Sequence, residues 1–160
     1  YAQLAQSAGA DAIFNSCSSV GEVADIIRQV VDVPVVKIDE PMAEEAVRKG
    51  RRIAVIATVP TTLAPTARLI EKRAKATDKE VEIYRHLVEG AFDVLMSGDA
   101  KRHDEMVSTE IKKAAEEADV VVLAQASMAR IVPSLGKMAV PVLSSPGGGV
   151  AELKRVLSVG

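Results

Sequence analysis

The sequence predicts an α/β protein of two pseudo-symmetric lobes, each built on a parallel sheet, with the N-terminal part of the first lobe missing from the chain. Three observations predict it. First, short β-branched runs alternate with segments of helical spacing, which implies parallel strands joined by right-handed crossovers. Second, one half repeats the other. "ADAIFNSCSSV" begins at Ala10 and "ADVVVLAQASM" at Ala118, an offset of 108. After each comes a helical segment, then "VPVV" at Val33 or "VPVL" at Val140, an offset of 107. So constant an offset favours two related lobes over a chance likeness of two βαβ units. Third, the chain opens without Met on "YAQLAQSAGADA", which reads as the second half of a helix. The expected division assigns residues 1–45 and 148–160 to the first lobe and 46–147 to the second.

The elements follow in order. A helix over roughly residues 1–8 leads into the strand "DAIFNS". Val20, Val23, Ile26, Ile27 and Val30 recur at helical spacing, which predicts a helix over "VGEVADIIRQVV". "VPVVKI" is a β-branched run, hence a buried strand. "EPMAEEAVRKG" reads as a helix with Pro41 in its first turn and Gly50 past its end. "RRIAVIAT" is a strand, and "TTLAPTARLIEKRAKAT" a helix that tolerates Pro65 only near its start. "EVEIYRHL" is a strand. A helix, a turn at Ser97-Gly98 and a long helix follow, then the strand "DVVVLAQ". "SMARIVPSLGKM" reads as a short helix broken by Pro133, "VPVLSS" as a strand and "GGVAELKRVL" as a closing helix.

Composition bounds the function. Apolar residues make up 48% and charged residues 26%, which suits a soluble globular chain. A net charge of −2 without a basic run argues against nucleic acid, and 2% aromatics leave no base-stacking platform. Two distant histidines, His86 and His103, assemble no zinc-type cluster and read as solvated, with "KRHDE" as a surface helix turn. One cysteine excludes an internal disulfide. No apolar run approaches the roughly 18 residues that span a membrane, and no signal peptide is visible, so the cytoplasm is the expected location.

The chemistry-bearing residues fall at strand ends, where open parallel sheets bind ligands. Cys17 follows "AIFNS" and precedes the expected helix, whose positive end would favour a thiolate. Asn15, Ser16, Ser18 and Ser19 offer donors around it. The alternative is a buried Cys acting as a small apolar filler. In the repeat, Gln125 takes the place of Cys17 and Ser127 that of Ser19. Gln125 can hydrogen-bond but cannot abstract a proton; it and Ser127 could equally satisfy loop backbone. Thr58, Thr61 and Thr62 end a third strand before a helix, as a carboxylate or phosphate site or as an ordinary N-cap. "SSPGGGV" could cradle an anion, but it fits no nucleotide fingerprint and reads better as a flexible crossover. Asp39 and Glu40 could line the cleft or simply enrich a helix start in acids.

In this order, "FNSCSS", "VPVVKIDEPMAEEAV", "RRIAVIATVPTT", "VVVLAQASMARIVP" and "VPVLSSPGGG" resemble the aspartate/glutamate/hydantoin racemase superfamily over nearly the whole chain. The resemblance implies a cofactor-independent enzyme and a small carboxylate or hydantoin substrate, with a tendency to dimerise. In such proteins each lobe presents one cysteine. One thiolate removes the proton at the substrate α-carbon, and the opposite thiol returns one to the other face. Here Cys17 matches the first cysteine, and Gln125 stands where the second would be. Asn15, Ser16, Thr58, Thr61 and Thr62 match the carboxylate-binding positions, and Ser18 and Ser127 are the further substrate-binding candidates. A single thiol could still protonate an enolate after decarboxylation, shift a double bond or attack an activated carbon. The arylmalonate decarboxylases and maleate isomerases of the superfamily resemble those options, although the decarboxylases keep the other cysteine and the isomerases use both. Two further readings stay open: a non-catalytic binding homologue, and an unrelated α/β domain.

Overall fold

The computed structural model describes residues 1–158; Val159 and Gly160, the end of the expected first lobe, lie outside the described residues. In chain order the elements are α1 (Ala2–Ser7), β1 (Ile13–Asn15), a 3-10 turn (Ser18–Val20), α2 (Val23–Ile27), β2 (Val35–Lys37), α3 (Glu40–Lys49), β3 (Arg52–Ala57) and α4 (Pro60–Ala76). There follow β4 (Glu82–Leu87), α5 (Ala91–Met96), α6 (Ala100–Ala114), β5 (Val120–Leu123), a long 3-10 segment (Ala126–Ser134), β6 (Val142–Ser144) and α7 (Ser145–Leu157). The strands form two sheets: β1-β2, and β4-β3-β5-β6. Every pairing is parallel, as the alternation predicts.

The four-stranded sheet is the core. Side chains alternate across a strand, and in β3 the alternation sorts them cleanly. Ile53, Val55 and Ala57 pack with α3 and α4, alongside Met42, Val47 and Ile70. Ala54 and Ile56 pack on the other face with Val107, Ile111 and Met128. Both faces are covered, which is why β3 and β5 read as unbroken apolar runs. At the N-terminal edge of this sheet the Asp119 carboxylate accepts the backbone N–H groups of Arg51 and Arg52 and both Nε and Nη2 of the Arg52 side chain.

The β1-β2 sheet is smaller and less covered. Its ties run through Arg28, which donates to the Val35 carbonyl and to Glu40, and so joins α2, β2 and α3. Burial pushes the Glu40 carboxyl up; the bonds from Arg28 and the charges of Arg28, Arg73 and Lys37 outweigh it and leave the group below its ordinary value. Behind this sheet lies α7. A Cβ on Gly149 would stand 2.6 Å from the Ile38 carbonyl oxygen and 2.7 Å from its Cα. The residue there is glycine because the helix backbone rests directly on the chain leaving β2.

Four expectations need correction. The helix predicted over residues 20–31 shrinks to a 3-10 turn and the five residues of α2; Val20, Val23, Ile26 and Val30 are exposed, so no core holds the apolar stripe in one long helix. "SSPGGGV" is no crossover: it is the start of α7, where packing on Ile38 and Pro41 overrides the low helix propensity of glycine. Pro133 does not break its segment but lies inside it, in 3-10 geometry. The histidines are not solvated. His103 is buried on the inner face of α6 in line with Val107 and Ile111, and His86 is largely covered between Glu110 and Glu117.

Candidate functional site

Two loops carry the predicted site, and they are built alike. Cys17 and Gln125 each follow a strand, each cap a 3-10 segment, and those segments begin 108 residues apart, at Ser18 and Ala126. Their backbones match as well: φ and ψ are −121° and 111° at Cys17, and −120° and 130° at Gln125. The repeat in the sequence is therefore a repeat in space, with the thiol and the amide at equivalent strand ends.

In the first loop Cys17 is a free, exposed thiol, which sets aside the buried-filler reading. A three-residue turn follows it instead of a full helix, so it lacks the aligned peptide dipoles of a long helix. Asn15 closes this loop on itself. Its Oδ1 accepts the Cys17 N–H at 3.3 Å, and its Nδ2 donates to the Val20 carbonyl at 3.4 Å. Asn15 thus shapes the loop that presents the thiol. Ser16 is exposed beside Cys17, whereas Ser18 turns inward and is buried.

In the second loop the Gln125 side chain reaches across to β3. Its Oε1 accepts the Thr58 N–H at 2.7 Å and the Thr58 Oγ1–H at 3.0 Å. A main-chain N–H can only donate, so the atom facing it is the amide oxygen and the NH₂ points elsewhere. Thr58 is buried and spent on this contact. Thr62 is buried and bonds back to the Val59 carbonyl, whereas Thr61 and Ser127 are exposed. Val59, not a threonine, holds the N-cap position of α4.

The structure thus joins Thr58 to Gln125 and Asn15 to Cys17, and the Ser18–Val20 turn packs against α4. Among the described residues no hydrogen bond links Cys17 to Thr58 or Gln125, and no group of three or more His, Cys, Asp or Glu side chains could hold a metal ion. Beside the Cys17 loop lies a cavity floored by Lys37 and Asp39. Of these, Asp39 was anticipated as a cleft residue, whereas its neighbour Glu40 is taken up by Arg28 and Arg73. Lys37 was missed; the signal was a lysine inside the apolar run "VPVVKI".

A family model described as Asp/Glu/Hydantoin racemase matches residues 1–153. No curated protein matches the sequence. Among solved structures the chain is similar to an allantoin racemase from Klebsiella pneumoniae, with a TM-score of 0.75 and 18% identity over 99% of this chain and 64% of that one. It is also similar to a glutamate racemase isoform from Bacillus anthracis, with a TM-score of 0.74 and 19% identity over 98% of this chain and 61% of that one. An aspartate racemase homologue from Pyrococcus horikoshii gives a TM-score of 0.70 and 23% identity, covering 98% of this chain and 71% of that one. These likenesses establish the fold, and the chain spans under two thirds of the first two proteins.

Proposed function

The chain belongs to the Asp/Glu/Hydantoin racemase family, and on that premise we propose that it serves an isomerase-type enzyme working at the α-carbon of a small carboxylate or hydantoin, with Cys17 as the acid/base. The Cys17 thiolate takes the α-proton. The electron pair passes into the adjoining carbonyl, giving an enolate-like intermediate, and protonation of that carbon closes the cycle. No cofactor takes part in this scheme. Its setting is the cytoplasm, where a lone thiol stays reduced.

One observation shapes the reading: the Gln125 oxygen is held by Thr58, so what Gln125 has left to offer is its NH₂. An amide is neither an acid nor a base at neutral pH, so it cannot abstract the α-proton, but a fixed N–H donor stabilises a developing oxyanion. We therefore assign one thiol to proton transfer and Gln125 to the intermediate, with water reaching the face opposite Cys17. Thr61, Ser16 and Ser127, exposed at the loop ends, are the proposed carboxylate partners.

The test is α-proton exchange in deuterated water with the full-length protein and a panel of aspartate, glutamate, hydantoins, allantoin and aryl-malonates. Deuterium should enter faster than the stereocentre inverts. Cys17→Ala should lose at least about 10²-fold in exchange with its fold intact, and Gln125→Cys should speed inversion. Undiminished exchange in Cys17→Ala would overturn the assignment. Binding without exchange or loss of CO₂ in any panel member would mark a non-catalytic homologue.

A further inference from the structure

A cavity of about 290 Å³ lies between the Ser18–Val20 turn, the end of β2 and α4. Its rim is charged but internally paired. Arg68 Nε donates to Glu22 at 2.6 Å, and Lys72 Nζ to Asp25 at 2.7 Å. Pro65 and Leu69 of α4 form an apolar wall.

The floor is different. Lys37 and Asp39 are each only 3% exposed, and both line the cavity. Among the described residues, neither side chain has a hydrogen-bond or ion-pair partner, and they do not pair with each other. Asp39 even holds the N-cap position of α3 without capping it, although an aspartate there ordinarily accepts a first-turn N–H. Gly21 shows where the two charges meet. A Cβ there would lie 3.4 Å from Lys37 Cε and 3.7 Å from Asp39 Oδ2. One buried cation and one buried anion thus reach the same space without neutralising one another. Unpaired buried charge is costly, and a partner in the cavity would relieve it.

The lining restricts that partner. With Glu22 and Asp25 already paired to Arg68 and Lys72 on the rim, the free charges are those of the floor: the Lys37 ammonium repels a metal cation, and the Asp39 carboxylate repels a phosphate-like dianion. A molecule with one anionic and one cationic end satisfies both floor groups, and the volume equals the share of about ten waters. We propose that this cavity is a ligand site separate from the Cys17 chemistry, taking a small zwitterion of amino-acid type, its carboxylate on Lys37 and its ammonium on Asp39. The Leu69–Pro65 wall accommodates a short side chain.

Glycine is the probe, being zwitterionic and achiral, with acetate and methylammonium as its two halves. In a titration of the full-length protein followed by amide NMR, glycine should shift Ser18, Gly21 and Leu69 saturably, with each half binding at least ten-fold more weakly. Lys37→Met and Asp39→Asn should each weaken glycine at least ten-fold, while Cys17→Ala leaves it unchanged. If either single variant fails to fold, the double variant Lys37→Met/Asp39→Leu, which removes both charges together, takes its place and should not bind glycine. Four outcomes would overturn the proposal: no saturable shift, glycine binding retained without the floor charges, acetate binding as well as glycine, or shifts confined to Cys17, Thr58 and Gln125. None of these depends on catalysis at Cys17, so this site and the proposed reaction fail independently.

Discussion

The two sheets of this protein make the same kind of unit, a strand followed by a 3-10 segment, with very different support. Around β3 and β5, strands of six and four residues are packed on both faces, and Ile53 through Ala57 are fully buried. Around β1 and β2 the strands have three residues each, α1 contributes no buried side chain, and α2 buries only Ala24. Leu4, Val20, Val23, Ile26 and Val30 remain exposed. Matching backbone angles at Cys17 and Gln125 therefore do not require matching cores. In one unit the loop is closed locally by Asn15, two residues from Cys17; in the other the Gln125 side chain is anchored at long range on Thr58, and the fully buried strands lie in the four-stranded half.

The sharpest way to break this comparison is a pair of truncations. Ile56→Ala empties a fully buried position and should cost about 3–4 kcal/mol by denaturant unfolding. Ile26→Ala removes a side chain that is 62% exposed and should stay within about 0.5 kcal/mol. Equal losses would mean that the β1-β2 half is held as tightly as the other.

Gly149→Ala should cost less overall, about 1–3 kcal/mol, and act on one side only. The new methyl meets Ile38 backbone, which cannot swing aside as a flexible side chain would. Hydrogen exchange should quicken at Ile38 N–H, which donates to the Asn15 carbonyl, and at Ile13 N–H, which donates to Pro34. The Ala124 N–H, bonded to Ile56 in the larger sheet, should keep its protection. Loss of protection in both sheets would show the two halves to be one cooperative unit.

The same contrast explains what could be read from the sequence. In the larger sheet β3 and β5 were legible because burial on both faces leaves an unbroken apolar run. The equivalence of Cys17 and Gln125 was legible from the offset of 108. Residues 20–31 misled because helical spacing predicts a long helix only where a core receives its stripe, and Val20, Val23, Ile26 and Val30 meet none. The glycines of α7 misled because propensity does not register that Ile38 leaves no room for a Cβ. His103 was hidden by its charged neighbours, although Val107 and Ile111 at four-residue steps mark its face. The Thr58–Gln125 contact joins residues 67 apart, and nothing local in the sequence encodes it.

The mildest test uses Asp119, which belongs to the larger sheet alone. Hydrogen bonds from the Arg52 backbone and side chain and the Arg51 backbone hold its carboxyl down at about 2. A folded value below the unfolded one, about 4, stabilises the fold above pH 4, and that contribution is lost as pH falls from about 4 to about 2. The carboxylate is 34% exposed and the Arg52 side chain 52%, so solvent screens the pair and the effect should be small. Asp119→Asn should lower stability at neutral pH, and its gap to the wild type should close as the pH approaches about 2. Exchange at the amides of Arg51 and Arg52 should report the change, and exchange at Ile13 and Ile38 should not. A gap that persists unchanged in acid would mean that the geometry of the accepting oxygen, rather than its charge, ties β3 to β5.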